Sequence, residues 1–83
     1  MQDINQIVCN YIYTTWIKPW LAEGKKLAEF SRKHNIEAKV VRKITSPNGY
    51  RIPLETLDKL CEARGISLLS FFKDLEKYTN SQK

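Results

Sequence analysis

Between Phe30 and Ile44 the chain reads FSRKHNIEAKVVRKI, and few folds accommodate such a stretch. It reads as two short helices joined by a tight turn. Helices that cross steeply over a few residues need a small side chain where their backbones approach, a turn residue that tolerates positive φ, and apolar residues at fixed offsets to lock the angle. Ser31 is the small residue. Asn35 is the turn, because asparagine visits the left-handed region more readily than most other non-glycine residues. Phe30, His34, Ile36, Val41 and Ile44 form the inward face. Ile36 precedes Val41 by five residues and Ile44 by eight, a spacing that closes a turn and then continues along one helical face. Lys39, Arg42 and Lys43 fall elsewhere on the second helix and point outward.

The formal net charge is +5, and its placement says more than its size. Residues 1–23 sum to −1 (Lys18 against Asp3 and Glu23), and residues 52–83 carry five charges of each sign. Residues 24–51 hold Lys25, Lys26, Arg32, Lys33, Lys39, Arg42, Lys43 and Arg51 against Glu29 and Glu37, a sum of +6. A charged segment is most often a solvated face. Here the whole excess sits on the helix pair and its flanks, which points to a polyanionic partner.

With 83 residues there is room for one domain with one modest core. An apolar content of 42% separates the chain from disordered sequences. Strand signals are few, and helix-compatible segments divided by Pro, Gly and Asn predict an all-α bundle of five helices. The first spans about 3–17, with Ile4, Ile7, Val8, Tyr11 and Ile12 on one face and Asp3 as N-cap or first-turn acid. Pro19 kinks or ends it, and Trp20, Leu21 and Ala22 add a turn before Gly24. Cys9, Tyr13, Trp16 and Trp20 make a second apolar stripe on this helix. They either cap the bundle or form the seam of a dimer, where aromatic residues are favoured.

The second helix spans about 25–34, with Leu27, Phe30 and Ser31 inward. His34 sits at its C-terminal end, where a partly charged imidazole suits the helix dipole. The third spans about 37–45, and Ser46-Pro47-Asn48-Gly49 is a strong turn signal. Pro53 suits the first position of the fourth helix, whose inner face is Leu54, Leu57, Leu60 and Cys61. Gly65 ends that helix as the residue after its C-cap. Ser67 caps the fifth helix, Ile66 and Phe71 form a hydrophobic staple, and Leu68, Leu69, Phe72 and Leu75 bury it. The domain thus covers 1–78, with 1–23 as an extended N-terminal helix and candidate dimer element, and 79–83 as a frayed polar tail.

The helix pair, together with IPLETLDKLCEARGISLLSFF (52–72), resembles the lambda-repressor-like (XRE) family of helix-turn-helix regulators. The resemblance covers roughly Leu27 to Phe72. Its second part is the more diagnostic, matching the family's fourth helix, glycine stop and fifth helix. The family usually has Ala at the position of Ser31 and Gly at that of Asn35. It has an acidic residue and a glycine after the recognition helix, where this chain has Thr45, Ser46 and Pro47, and the following loop is one residue longer here. The resemblance implies a five-helix lambda-repressor-like bundle with residues 37–45 as a recognition helix in the DNA major groove, which admits one α-helix and distinguishes all four base pairs. Residue-by-residue matching implies base contacts from Glu37, Ala38, Lys39, Arg42 and Lys43. Arg42 and Lys39 suit guanine O6 and N7, and Ala38 suits a thymine methyl. Glu37 either accepts from cytosine N4 or simply suits the helix N-terminus, the second being preferred. Phosphate contacts need only donors, and Lys25, Lys26, Arg32, Lys33, Ser46, Asn48, Tyr50 and Arg51 are the candidates.

The expected function is sequence-specific binding of double-stranded DNA by a small transcriptional regulator, with repression the leading sign, acting as a homodimer. The alternative is an antitoxin or adaptor module of the same fold, holding a protein partner such as a toxin on the Trp16/Trp20 surface. No catalytic constellation or phosphate-cradling glycine loop is present, so an enzyme is not expected, nor is a cofactor. The aromatics do not form a stacking platform for RNA. Cys9 and Cys61 read as reduced, buried thiols. A metal would have to gather Cys9, His34 and Cys61, which lack paired ligand spacing. No apolar run is long enough to span a bilayer. MQDINQ lacks the start of a signal peptide, so a cytoplasmic protein with no membrane partner is expected.

Overall fold

The computed structural model describes residues 4–46 and 50–81, and every regular element among them is helical. The order is α1 (Ile4–Ile12), a π-helical segment (Tyr13–Ile17), α2 (Lys18–Ala22), α3 (Leu27–Lys33), α4 (Ala38–Thr45), α5 (Leu54–Ala63) and α6 (Leu68–Ser81). The first three run on without a break, so the described residues form five rods, an all-α bundle. No helix among them is long and apolar enough to cross a membrane. The expected cap at Asp3 and the turn at Pro47-Asn48-Gly49 lie outside the described residues.

Pro19 does not end the first rod. It has no N–H, and its ring crowds the carbonyl one turn earlier. The chain accommodates this by widening the turn before it. The Lys18 N–H bonds to the Tyr13 carbonyl, five residues back, the signature of a π turn. A π turn advances each residue by only about 80° instead of 100°. Ile17, which a straight α-helix would place opposite Val8, is thereby rotated inward and is fully buried.

The same rotation turns Trp16 of the second apolar stripe inward, while Cys9 lies before the π turn in α1. Cys9 (4% exposed) and Trp16 (7% exposed) belong to the core of the single chain, and Tyr13 and Trp20 are half-buried against it. Cys9 and Trp16 are thus covered within the single chain, whereas Tyr13 and Trp20 keep part of their surface exposed. One rod can bury two stripes because it is flanked by both α4 and α6. Tyr11 packs edge-on against Phe71 and Tyr78, Trp16 packs on Phe71, and the Cys9 thiol donates to the Tyr50 carbonyl at 3.3 Å.

The stripe on α6 is also displaced from the expected one. Phe71, Leu75 and Tyr78, at offsets of four and seven, face the core. Leu69 (68% exposed) and Phe72 (40% exposed) turn outward, because of two adjacent phenylalanines only one can lie on the inward line. On α5 the inward line begins at Leu57, and Leu54 is exposed. Ile4, at the start of α1, is exposed as well. Ser67 caps α6 as expected, its Oγ accepting from the Ser70 N–H at 3.1 Å. The helix continues through Thr79, whose hydroxyl donates to the Leu75 carbonyl, to Ser81, so residues 79–81 are helical.

Candidate nucleic-acid interface

The α3–α4 corner is built as its sequence requires. Asn35 takes φ 56°, the left-handed conformation that asparagine tolerates. Its neighbours close the turn, with the Ile36 N–H on the Ser31 carbonyl at 3.0 Å. Ser31 is buried, and its hydroxyl donates to the Ala28 carbonyl at 2.7 Å. Behind the turn, Phe30, Val41 and Ile44 are essentially inaccessible. Lys26 and Glu37 are the N-caps, so each helix begins slightly later than expected.

His34, inward as its position in the sequence implies, closes this corner through a distant partner that the sequence did not signal. It is fully buried and stacks on Phe30 with ring centroids 3.9 Å apart. Its Nδ1 lies 2.8 Å from the Phe30 carbonyl, so Nδ1 carries the proton and donates. Nε2 is then the lone-pair nitrogen and accepts from the Arg64 guanidinium at 3.3 Å. Burial lowers the pKa of the imidazole from its usual value, and the charges of Arg64 and Lys33 push the same way against the Phe30 hydrogen bond. The expectation of a partly charged His34 is thus corrected: a buried ring that accepts from a cation is neutral. Arg64 also lies over the Trp16 ring at 4.7 Å. One arginine, absent from the sequence-based site, therefore joins the first rod, the end of α3 and the end of α5. Burial raises the pKa of the Cys61 thiol to about 11, so it is an unreactive core group.

In front of this packed corner stands the cationic face. At 100° per residue, Lys39, Arg42 and Lys43 occupy an arc of about 100° on the side of α4 away from Val41 and Ile44, and all three are exposed. Ala38 is half-exposed at its edge. Glu37 makes no side-chain cap bond. Its carboxylate instead lies 3.3 Å from the Lys39 ammonium, with both side chains about two-thirds exposed or more (66% for Lys39, 71% for Glu37). The preferred role of Glu37, merely suiting the helix terminus, is thus joined by an exposed ion pair of the kind worth roughly 0–1 kcal/mol. The Lys43 ammonium sits 5.6 Å from the centre of the half-buried Tyr50 ring.

The remaining donor candidates fall into three groups. Lys25, Lys26 and Lys33 gather round Trp20. The Lys25 and Lys33 ammonium groups lie 4.4 and 5.3 Å from its ring centre, and its Nε1–H donates to the Lys26 carbonyl at 2.9 Å. Arg32 lines an open groove of about 620 Å³ that also takes in Asn35, Glu37, Thr56 and Lys59. Ser46, the half-buried C-cap of α4, and exposed Arg51 flank the loop after α4, while Asn48 lies outside the described residues. Sequence reasoning missed Arg64 and Lys59, because neither stands in the basic segment. The lysines over the Trp20 ring were likewise not signalled by the sequence.

No protein-family model, curated protein or solved structure matches this chain. Its chemistry is therefore read from its own side chains. Among the described residues no three of His, Cys, Asp and Glu come together to hold a metal ion.

Proposed function

We propose that this protein binds double-stranded DNA sequence-specifically, as a small transcriptional regulator of the lambda-repressor-like helix-turn-helix type. In this reading α3 and α4 are the two helices of the motif and α4 enters the major groove. The observation that carries it is the division of α4 into two faces: Val41 and Ile44 are locked into the core, while Lys39, Arg42 and Lys43 stand together in solvent. Arg42 pairs with guanine O6 and N7, Lys39 and Lys43 supply further donors, and Ala38 meets a thymine methyl. Glu37 moderates Lys39 until a base or phosphate takes its place. Lys25, Lys26, Arg32, Lys33 and Arg51 grip the phosphates beside the groove.

One helix reads only a few base pairs, so two copies act on a twofold site with half-sites about 34 Å apart. Their seam lies outside the buried residues of the first rod. The adaptor alternative, with a partner seated on Trp16 and Trp20, is disfavoured because Trp16 is in the core and Trp20 is engaged by lysines. Selection of bound duplexes from a random pool tests the proposal. A palindrome with half-sites about one helical turn apart is expected, bound with a log–log salt slope of about −5 if some six phosphates are neutralised. A pool that emerges unenriched would overturn it.

A further inference from the structure

We infer that Trp20 is a positioning residue for phosphate recognition: its indole gathers Lys25 and Lys33 into one clamp for the phosphodiester backbone on the flank of α3. The inference rests on the DNA-binding reading above and deepens it. Lys25 stands two residues before α3 and Lys33 is its last residue, so the whole length of the helix, about 9 Å of rise, lies between their backbones. Left to solvent, two such side chains would spread apart, because like charges repel and long side chains gain entropy by moving freely. Here both ammonium groups reach one ring, at 4.4 and 5.3 Å from its centre, where the negative π face attracts a cation.

The ring itself is held from behind. Its Nε1–H is fixed on the Lys26 carbonyl, and it meets the rings of Phe30 and His34 in T-shaped contacts with centroids 5.6 and 6.5 Å away. The packed corner thus dictates where the indole stands, and the indole dictates where the two charges stand. Glu23 pairs with Lys25 at 3.0 Å through exposed side chains. Glu29 lies one turn before Lys33 and is also exposed. Neither carboxylate is buried, so a phosphodiester can displace either at little cost. A strand of phosphates relieves the repulsion that the ring tolerates, and the cations need no reordering to meet it.

A double-mutant cycle, read with a labelled mixed-sequence duplex at several salt concentrations, tests this. Lys25→Gln with Lys33→Gln should flatten the salt slope by about 2. Trp20→Leu, which keeps both lysines, should weaken binding several-fold and flatten the slope in the same sense. In the Lys25→Gln/Lys33→Gln background, Trp20→Leu should change affinity by less than about twofold, since no lysines remain to be placed. If Trp20→Leu costs the same in both backgrounds, Trp20 is only a brace for the corner; the inference falls and the DNA-binding reading stands. If the unaltered protein binds no duplex even at low salt, both fall. Should Trp20→Leu fail to fold, the Trp20 indole N–H resonance of the unaltered protein decides. It should move on addition of duplex and stay put in the Lys25→Gln/Lys33→Gln protein; a resonance that never moves overturns the inference.

Discussion

Val41 and Arg42 are neighbours in the chain and opposites in their surroundings. Val41 is wholly inaccessible and Arg42 is exposed. The contrast extends to the two regions they belong to. Behind α4 lies a corner where Phe30, His34, Trp16 and Arg64 interlock through stacking, a shared cation and two hydrogen bonds on one imidazole. In front lies a face whose cations touch little: an exposed carboxylate on Lys39 and a half-buried tyrosine beside Lys43. The rear region uses its chemistry up in holding the fold, whereas the front region keeps its own in reserve. Groups that contribute little to folding are those able to contribute to a partner, and a rigid rear is what keeps them in register.

The comparison is broken most severely from behind. Phe30→Ala removes the ring on which His34 stacks and Trp20 packs. It should cost about 3–5 kcal/mol, a large share of the roughly 4–12 kcal/mol available to a domain this small. Thermal denaturation followed by circular dichroism should show partial or complete loss of the folded state. A melting temperature close to that of the unaltered protein would mean the rear region is not the clamp described.

From the front the expected pattern is reversed. Arg42→Ala should weaken binding of the selected duplex by about 1–3 kcal/mol and relax preference at one base position, while stability stays within about 0.5 kcal/mol. Unchanged base preference would remove Arg42 from the reading set. A large loss of stability would show that the two faces are not independent.

The smallest effect sharpens the comparison through pH. The folded-state pKa of His34 is lowered, so folding excludes a proton that the unfolded chain accepts. Above the ordinary imidazole range, near 6.5, both states are neutral and the contribution is complete. As pH falls from there through the folded-state value, the unfolded chain gains the proton first and stability declines. Denaturant midpoints should therefore fall between about pH 7 and 5, ahead of carboxylate titration, and His34→Leu should flatten that decline. A wild-type profile as flat as the variant's would mean that the buried imidazole is not the titrating group.

Much of the rear region was legible in the sequence, since it obeys local rules. Asn35 at a positive-φ turn, Ser31 at a close approach, Gly65 at φ 71° after α5 and Ser67 as a cap each follow from one residue's own conformational preference. The outward placement of Lys39, Arg42 and Lys43 follows from helical periodicity alone. The stripes that failed were those where two helical lines competed. Leu69 and Phe72 fit a heptad line as well as Phe71, Leu75 and Tyr78 do, and only the position of Tyr11 and Trp16 on the first rod selects between them.

By itself, the sequence determined the class of fold, the corner of α3 and α4, and the side of α4 that carries charge, because those depend on residues within a turn or two of each other. Tertiary structure alone decided that Pro19 is absorbed by a π turn, that Cys9 and Trp16 face inward, and that His34 is neutral under Arg64, 30 residues away. A helix can present its apolar arc to one neighbour or to two, and a histidine can be charged or not. Each outcome depends on which distant side chains arrive, and local periodicity carries no record of them.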